Sequence, residues 1–588
     1  MIERMTKYSF ILLSADKEKF LADLTELGVV DITRASKPVD AESGRILASA
    51  TAIKKQIANL EAETSDELKA LHEELTAERR KYIAALPWGD YSSEALEGLK
   101  ARGLEIHFHQ TPAKKFDSQW ENLVPIQVIS NLKGSTYFIS ILEAGQQMPK
   151  ELAACETDAP KGQAKDLEAR VKELEAEQAK CLEEIRAAKE REIPLLKAEY
   201  EKTMGRLDGY LANVSGDKAA EETLTVFTGF APVTEDERLS KAFDAMDVYY
   251  IKEQAAPEDN PPIKLKNSKF AREFERITGM YGMPVYSEFD PTPVISIFFL
   301  LFFAMCMGDA GYGLVLIIAG LLIHKNILKI GMFKGLGTLI TILGVATLIV
   351  GLVMGTAFGI DLRTAAWVPE WLHKIMLPAK FPGTDYDYGM VLSIIIGVFH
   401  LCLAMTVKAV LYTQRFGFKH ALSAWGWLIL IVGGIATALL AITGVFSPDV
   451  TRWAIIIVGA LSFLGIFLFN KPGRNPLLNI GAGLWDTYQT ATGLLGDVLS
   501  YIRLYALGLA GGMLGGAFNT LGTMVLGDGG AGRWVAFVLI LIIGHTLNLL
   551  MCCLGAFVHP LRLNFLEYFK NSGYEGMGAK YKPLKNNN

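Results

Sequence analysis

Two patterns of hydrophobic spacing divide the chain near residue 290. Beyond Pro291 the apolar residues come in long runs, 292–307, 310–324, 336–358, 388–412, 420–446, 452–470, 480–526 and 533–569, broken by short polar loops. Runs of about 20 apolar residues span a bilayer as helices. Before Asp290 the apolar residues recur singly, at helical or alternating spacing, in a background of Lys, Glu and Asp. Leu167, Val171, Leu174, Gln178, Cys181, Ile185, Ala188 and Leu195 follow four-three spacing, a coiled-coil signature. Residues 41–83 carry Ile53, Ile57, Leu60, Leu71 and Leu75 at looser spacing, and the two arms are expected to fold back as an antiparallel hairpin. The segments "KYSFILLSADKEKFLADLTELGVVDIT" and "TLTVFTGFAPVTEDERLSKAFDAMDVYYIKE" each read strand–helix–strand. In the second, Thr234 and Glu237 suggest a capping box, and Leu239, Phe243 and Met246 a buried face.

The arms bring both ends of the hairpin together, which predicts residues 1–40 and 216–256 in one membrane-proximal lobe. Arms 41–83 and 164–212 form the shaft, 84–163 a distal lobe and 257–290 a linker. The expected fold is thus a cytoplasmic α+β dumbbell, two α/β lobes joined by an antiparallel coiled coil, followed by an α-helical polytopic membrane domain over 291–588. The bland reading of the shaft, a rigid spacer, is also its functional one.

Loop charge sets the number of crossings. The loops "HKNILKIGMFKG", "KAVLYTQRFGFKHA" and "NKPGRNP" and the tail "KNSGYEGMGAKYKPLKNNN" are basic and are expected on the cytoplasmic side. For residues 1–290 to share that side, an even number of spans must precede His324, so "MGDAGYG" is read as a break between two short helices. This gives eight transmembrane helices, the last two long and tilted, with both termini in the cytoplasm. For Asp309, in that break, a structural role is favoured.

Composition agrees with a split chain: of 588 residues 51% are hydrophobic and 21% charged, with a net charge of -5 that gives no reason to expect nucleic acid. Six cysteines without CxxC spacing suggest neither a disulfide framework nor a zinc site. The first apolar stretch is too short for a signal-peptide core, so the first span is expected to target the chain to the membrane. There is no phosphate-binding loop and no dinucleotide fingerprint, and His107 and His109 lack further ligands. Nothing points to a cofactor, a metal or an enzyme.

The candidate chemistry lies inside the last two runs. Arg503 sits mid-span in "DVLSYIRLYALGLAGG", where a guanidinium costs about 2.5–3.5 kcal/mol on insertion scales. Its neighbours one turn away, Leu499, Ser500, Ala506 and Leu507, include no acid. Asp486, Gln489, Thr490, Asp497 and Ser500 make a polar stripe with Arg503 at its edge. In the last run His545, Asn548, Cys552, Gly555, His559 and Arg562 share one helix face, with Glu567 beyond them. A single such histidine is usually a packing residue. A stripe of ionisable groups reads rather as the wall of a hydrated ion path, against the plainer alternative of a salt bridge between spans.

The stretches "LSYIRLYALGLAG", "LGAFVHPLRLNFLEYF", "MCMGDAGYGL", "TVFTGFAPV" and "LKNSKFAREFERITGMYGMPVYSEFDPTP" closely resemble subunit a, or subunit I, of the rotary V-type and A-type ATPases, over nearly the whole chain and in its prokaryotic form. The resemblance implies a static subunit of an ion-transporting motor in a prokaryotic plasma membrane. Arg503 would face the carboxylate of a rotating proteolipid ring, and Arg562 would be the second arginine of the last span. Two aqueous half-channels would meet the ring at different heights. The arm would bind peripheral stalks, with a central-stalk ring adaptor, the other subunits and the bilayer as further partners and ATP handled elsewhere. The chain departs from the family at Asn564 and Pro560. Two other classes compete. A self-contained secondary carrier predicts paired charges within its own spans and a pseudo-repeat, which is not seen. A scaffold with structural charges predicts that neutralising Arg503 harms folding.

Overall fold

The computed structural model describes every residue except 36, 63–64, 91–92, 133, 144–145, 160–161, 220–222, 247, 326, 328–334, 384, 470–475, 528–529 and 586–588. The chain forms two compact units. One comprises Met1–Leu13, Val29–Ile32 and Ala219–Pro583, the other Ser14–Gly28, Thr33–Lys218 and Leu584–Asn588.

The first unit opens on an antiparallel sheet of β1 (Met5–Leu13), β2 (Asp31–Ile32), β3 (Leu224–Pro232) and β4 (Tyr249–Gln254), in the order β2-β3-β1-β4. Along β1 the residues Thr6, Tyr8, Phe10 and Leu12 are buried while Lys7, Ser9 and Ile11 are half-buried, the period of two a one-faced strand requires. Helix α1 (Asp236–Ala245) lays Leu239 and Phe243 on that face, with the Phe243 ring edge-on to Tyr8 at 5.3 Å and Phe10 at 5.0 Å. The capping box differs from expectation. A 3-10 turn over Val233–Glu235 delays the helix, and the Thr234 hydroxyl donates instead to Glu3 at 2.9 Å. Asp236 anchors the helix start, accepting from Thr6 at 3.0 Å and Tyr8 at 2.7 Å. Burial and that carboxylate push the Tyr8 phenol well above its usual range.

The membrane helices follow. After the amphipathic α2 (Lys269–Tyr281) come two short apolar helices, α3 (Thr292–Met307) and α4 (Ala310–His324), broken at Gly308–Asp309. Next are α5 (Gly337–Met354), α6 (Tyr388–Phe416), α7 (Phe418–Ile442), α8 (Pro448–Phe467), α9 (Pro476–Leu526) and α10 (Ala531–Arg562). The last continues through a π-helical turn, Leu563–Tyr568, into α11 (Phe569–Ser572). Among the described residues six helices, α5 to α10, are long and apolar enough to cross a membrane, whereas α3 and α4 have 16 and 15 residues. At 1.5 Å per residue these two reach only about 24 and 22 Å. The break expected at "MGDAGYG" is present, but the length of the helices around it does not by itself make eight crossings. Of the loops whose charge set the expected orientation, 326, 328–334 and 470–475 lie outside the described residues.

The core of these helices is built on Phe299, Phe302, Tyr501, Leu504, Tyr568 and Phe569. The tail then returns to the sheet: Ile263 N–H donates to the Ala579 carbonyl at 2.7 Å, Tyr581 N–H to the Ile263 carbonyl at 3.0 Å, and Lys582 N–H to Asp31 at 2.7 Å.

In the second unit the helix Ala164–Val214 packs along Ala41–Glu61 and Asp66–Ala85. Their contacts run in opposite directions: Tyr210 donates to Asp40 at 2.6 Å, Lys197 pairs with Glu61 at 2.7 Å and Arg170 with Glu74 at 3.0 Å. Val171 and Leu174 meet Leu75 in a buried cluster. Leu195, expected in the seam, is 67% exposed and follows Pro194 inside the helix.

The strands Leu104–Pro112, Ile126–Leu132, Ser135–Glu143 and Glu156–Thr157 make a second antiparallel sheet. His109 is wholly buried in it, between Ser140 at 2.8 Å and the Leu152 carbonyl at 3.1 Å. Burial holds this imidazole below its ordinary value of 6.5. As pH falls below about 6.5 the unfolded chain takes up a proton that the folded lobe refuses, so the stability present above that pH is lost. Hydrogen exchange of strand 104–112, compared at each pH with His109→Gln, is expected to show the wild-type advantage shrinking from about pH 7.5 to pH 5. A constant difference would refute it.

Candidate functional site

The site is built on α9 and α10, which pack against each other along their length. Arg503 lies mid-way along α9. Its Nη1 is buried without a hydrogen-bond partner, and no ion pair reaches the guanidinium among the described residues. Cys306 of α3 and His559 of α10 lie close enough to feel its charge, and neither is a carboxylic acid. Arg503 as a whole is half-buried, and a cation with a buried, unpaired nitrogen is costly in any protein and more so in a bilayer. Helical spacing places Leu499, Ala506 and Ala510 within about 60° of Arg503, and all three are exposed, so Arg503 borders an open face of α9.

Two cavities flank this position. One, of about 500 Å³, is lined from α9 by Asp486, Gln489, Thr490 and Asp497, and from the other helices by Lys408, His420, Lys570 and Asn571. The other, of about 430 Å³, is lined from α9 by Tyr505, Gly508, Gly512, Met513 and Gly516, facing Thr356, Asp361, Arg363 and Asp387. The first ends six residues before Arg503, about 9 Å along the helix, and the second begins two residues after it, about 3 Å.

The expected residues separate into two groups. Near Arg503 are His559, whose Nδ1 is buried and unpartnered, and Arg562, which is exposed and sits in front of the π-helical turn. Glu567 lies in that turn, 3% exposed, with Oε2 unpartnered and the Ser500 hydroxyl beside it. Ser500 itself donates to the Gly496 carbonyl at 3.0 Å. Asp497 accepts from Asn571 at 2.8 Å and lies 3.6 Å from Lys570. Pro560 is inside α10, where it donates no backbone bond. Asn564 donates to its carbonyl at 2.8 Å.

His545 and Asn548 stand apart from this group. Tyr312 bonds His545 Nδ1 at 2.8 Å and accepts from Asn548 Nδ2 at 2.8 Å, while His545 Nε2 meets Asn519 at 3.0 Å. They share a face with Arg562 as the spacing predicted, yet several turns away and in a hydrogen-bonded network of their own. Sequence reasoning missed His400, fully buried on α6, stacked on Phe298 at 4.1 Å and Tyr568 at 4.8 Å. Its signal was present: one imidazole interrupts the apolar run "IIIGVFHLCLAM".

Comparison with known proteins supplies a family for the chain. The profile of the V-type ATPase 116kDa subunit family matches residues 142–360. The V-type ATP synthase subunit I of Borreliella burgdorferi is 27% identical over 100% of this chain and 99% of its own length. The chain belongs to the subunit I family of the V/A-type ATPases. The A-type ATP synthase subunit I of Methanocaldococcus jannaschii is 30% identical over 72% of this chain and 63% of that protein. The V-type ATP synthase subunit I of Chlamydia pneumoniae is 22% identical over 99% of this chain and 97% of its own. As a subunit I with apolar helices of spanning length, the chain is a membrane protein of an ion-transporting rotary ATPase.

Proposed function

We propose that this chain is the static, non-catalytic subunit through which ions cross a rotary V/A-type ATPase. The observation that carries the proposal is the unpartnered guanidinium of Arg503, at the edge of an open helix face and between two cavities. The partner of Arg503 is a carboxylate of the proteolipid ring. An ionised carboxylate is favoured beside a cation and a neutral one in lipid, so each ring site gives up its ion on reaching Arg503 and takes another before it leaves. The cavity with Asp486, Gln489 and Asp497 is the cytoplasmic half-channel, joined by Glu567 and Ser500. The cavity with Asp361 and Asp387 is the external one. Arg503 stands between them as an electrostatic barrier to ions that bypass the ring, supported by His559 and Arg562. His545 and Asn548 hold the wall of the external half. In this reading α3 and α4 cross as a pair, giving eight spans with both termini in the cytoplasm. Residues 1–290 are the stator arm that binds the peripheral stalks, and nucleotide chemistry belongs to other subunits.

Gln489→Cys and Met513→Cys test the two half-channels in vesicles holding the whole complex, with labelling read against the parent complex. A membrane-impermeant thiol reagent is expected to label the first only from the ATP-binding side and the second only from the opposite side. Labelling of both from one side would overturn the assignment.

A further inference from the structure

The side of α9 opposite Arg503 carries two tyrosines, of which Tyr505 also lines the second cavity together with Gly389 and Asp387. Tyr501 is wholly buried and lies over Gly397 of α6, so closely that a Cβ on Gly397 would stand 2.3 Å from the ring. Its hydroxyl shares a hydrogen bond of 2.9 Å with His400 Nδ1, one turn further along α6. Tyr505 repeats the arrangement. A Cβ on Gly389 would stand 2.9 Å from its ring, and its hydroxyl donates to the Asp387 carboxylate at the start of α6. Two tyrosines thus sit in two glycine sockets of α6, and each ends on a polar group of that helix.

Four residues apart, Tyr501 and Tyr505 lie about 40° apart on the α9 wheel, and Arg503 lies about 180° from their mean direction. A helix gripped at two rings on one face cannot turn about its axis without lifting both rings from their sockets. Close-packed interiors resist such a displacement. A rotation of one residue, about 100°, would carry the guanidinium from the border of the open face into α10 or into the apolar surroundings.

We propose that Tyr501 and Tyr505, seated on Gly397 and Gly389 and bonded to His400 and Asp387, form a clamp that fixes the rotational setting of α9 and so aims Arg503 at its partner. In this role Tyr501 and Tyr505 are positioning residues, although Tyr505 and Asp387 also line the external cavity. The inference rests on the reading of Arg503 given above.

A reporter of rotation is available on the neighbouring face. A Cβ at Gly511 would lie 2.6 Å from the Cys552 sulfur of α10, so Gly511→Cys gives a thiol placed for a disulfide with Cys552 only in the native setting. Intact complexes in vesicles carry Tyr501→Phe, which loses only the bond to His400, or Gly397→Ala, which fills the socket. Each is measured for assembly, for ions taken up per ATP hydrolysed and, on the Gly511→Cys background, for the 511–552 disulfide formed with copper phenanthroline and quantified by mass spectrometry. Gly397→Ala is expected to lower ions per ATP about fivefold to tenfold and disulfide yield at least threefold in the complexes that assemble. Tyr501→Phe should lower both by about twofold. Ions per ATP that fall with an unchanged disulfide yield would overturn the clamp, as would a changed yield with normal coupling, or no change in either. If Gly397→Ala does not assemble, Tyr501→Phe decides alone. Arg503→Gln, measured alongside, separates the two readings: normal uptake there refutes the role of Arg503 itself, whereas lost uptake there with unaffected clamp variants refutes only the clamp.

Discussion

Vesicles whose complexes carry Arg503→Gln are expected to keep a normal amount of assembled complex and to lose ATP-driven ion uptake by at least a hundredfold. The magnitude follows from the electrostatics. At an effective dielectric constant near 20, opposite unit charges about 4 Å apart attract by about 4 kcal/mol. At 1.36 kcal/mol per pKa unit this amounts to about three units of acidity, which the ring carboxylate loses with the guanidinium. A carboxylate that stays neutral at the crossing point does not exchange its ion between the half-channels. Assembly is expected to survive because the substitution removes a half-buried cation that has no ion pair within this chain among the described residues. A purely structural arginine would show the reverse, with complex lost and coupling intact in whatever remained. Arg503→Lys keeps the charge but not the planar fork, so it should recover part of the uptake, most of it at low turnover. Uptake at the wild-type rate in Arg503→Gln would end the ion-path reading.

What could be read in the sequence depended on how local the signal was. The alternation in β1 and the polar stripe from Asp486 to Asp497 are properties of one element, and the structure places them where the periodicity pointed. Arg503 was recognisable because the missing acid could be checked at one turn in either direction on its own helix. The capping box at Thr234 failed because a competing partner, Glu3, lies 231 residues away in the chain. Leu195 fitted the four-three spacing, but it follows Pro194, which lacks the N–H for a helix bond although the helix runs on through it, and the side chain is left outside the seam. The stripe from His545 to Arg562 was right as a face and silent about contacts, since Tyr312, which takes up His545 and Asn548, belongs to a helix more than two hundred residues earlier. The tyrosine sockets were invisible for the same reason: His400 and Tyr501 are 101 residues apart, and a glycine in an apolar run does not announce which ring it receives.

Asp309 carries the second large effect, and it should fall on folding rather than on transport. The carboxylate is 1% exposed and accepts four backbone N–H groups, from Gly311 at 2.8 Å, Tyr312 at 3.1 Å, Phe358 at 2.7 Å and Gly359 at 2.8 Å. The first two cap α4 and the other two fasten the turn that follows α5, where Phe358 is held at a φ of 49°, a left-handed conformation unusual for a bulky residue. Asp309→Ala would leave two buried and two part-buried donors unpaired, the buried ones costing about 1–3 kcal/mol each, against a total stability of about 5–15 kcal/mol for an ordinary domain. The expected result is a loss of most of the subunit from the membrane, measured as assembled complex per milligram of membrane protein. Asp309→Asn should be intermediate, because its amide oxygen can still cap α4 while its NH2 group faces the Gly359 N–H as donor against donor. In the complexes that do form, ions transported per ATP should stay close to the wild-type value, the opposite of the pattern at Arg503. Were Asp309→Ala to assemble in full yet fail to move ions, the carboxylate would belong to the ion path, and the clasp between α4 and the turn after α5 would be incidental to it.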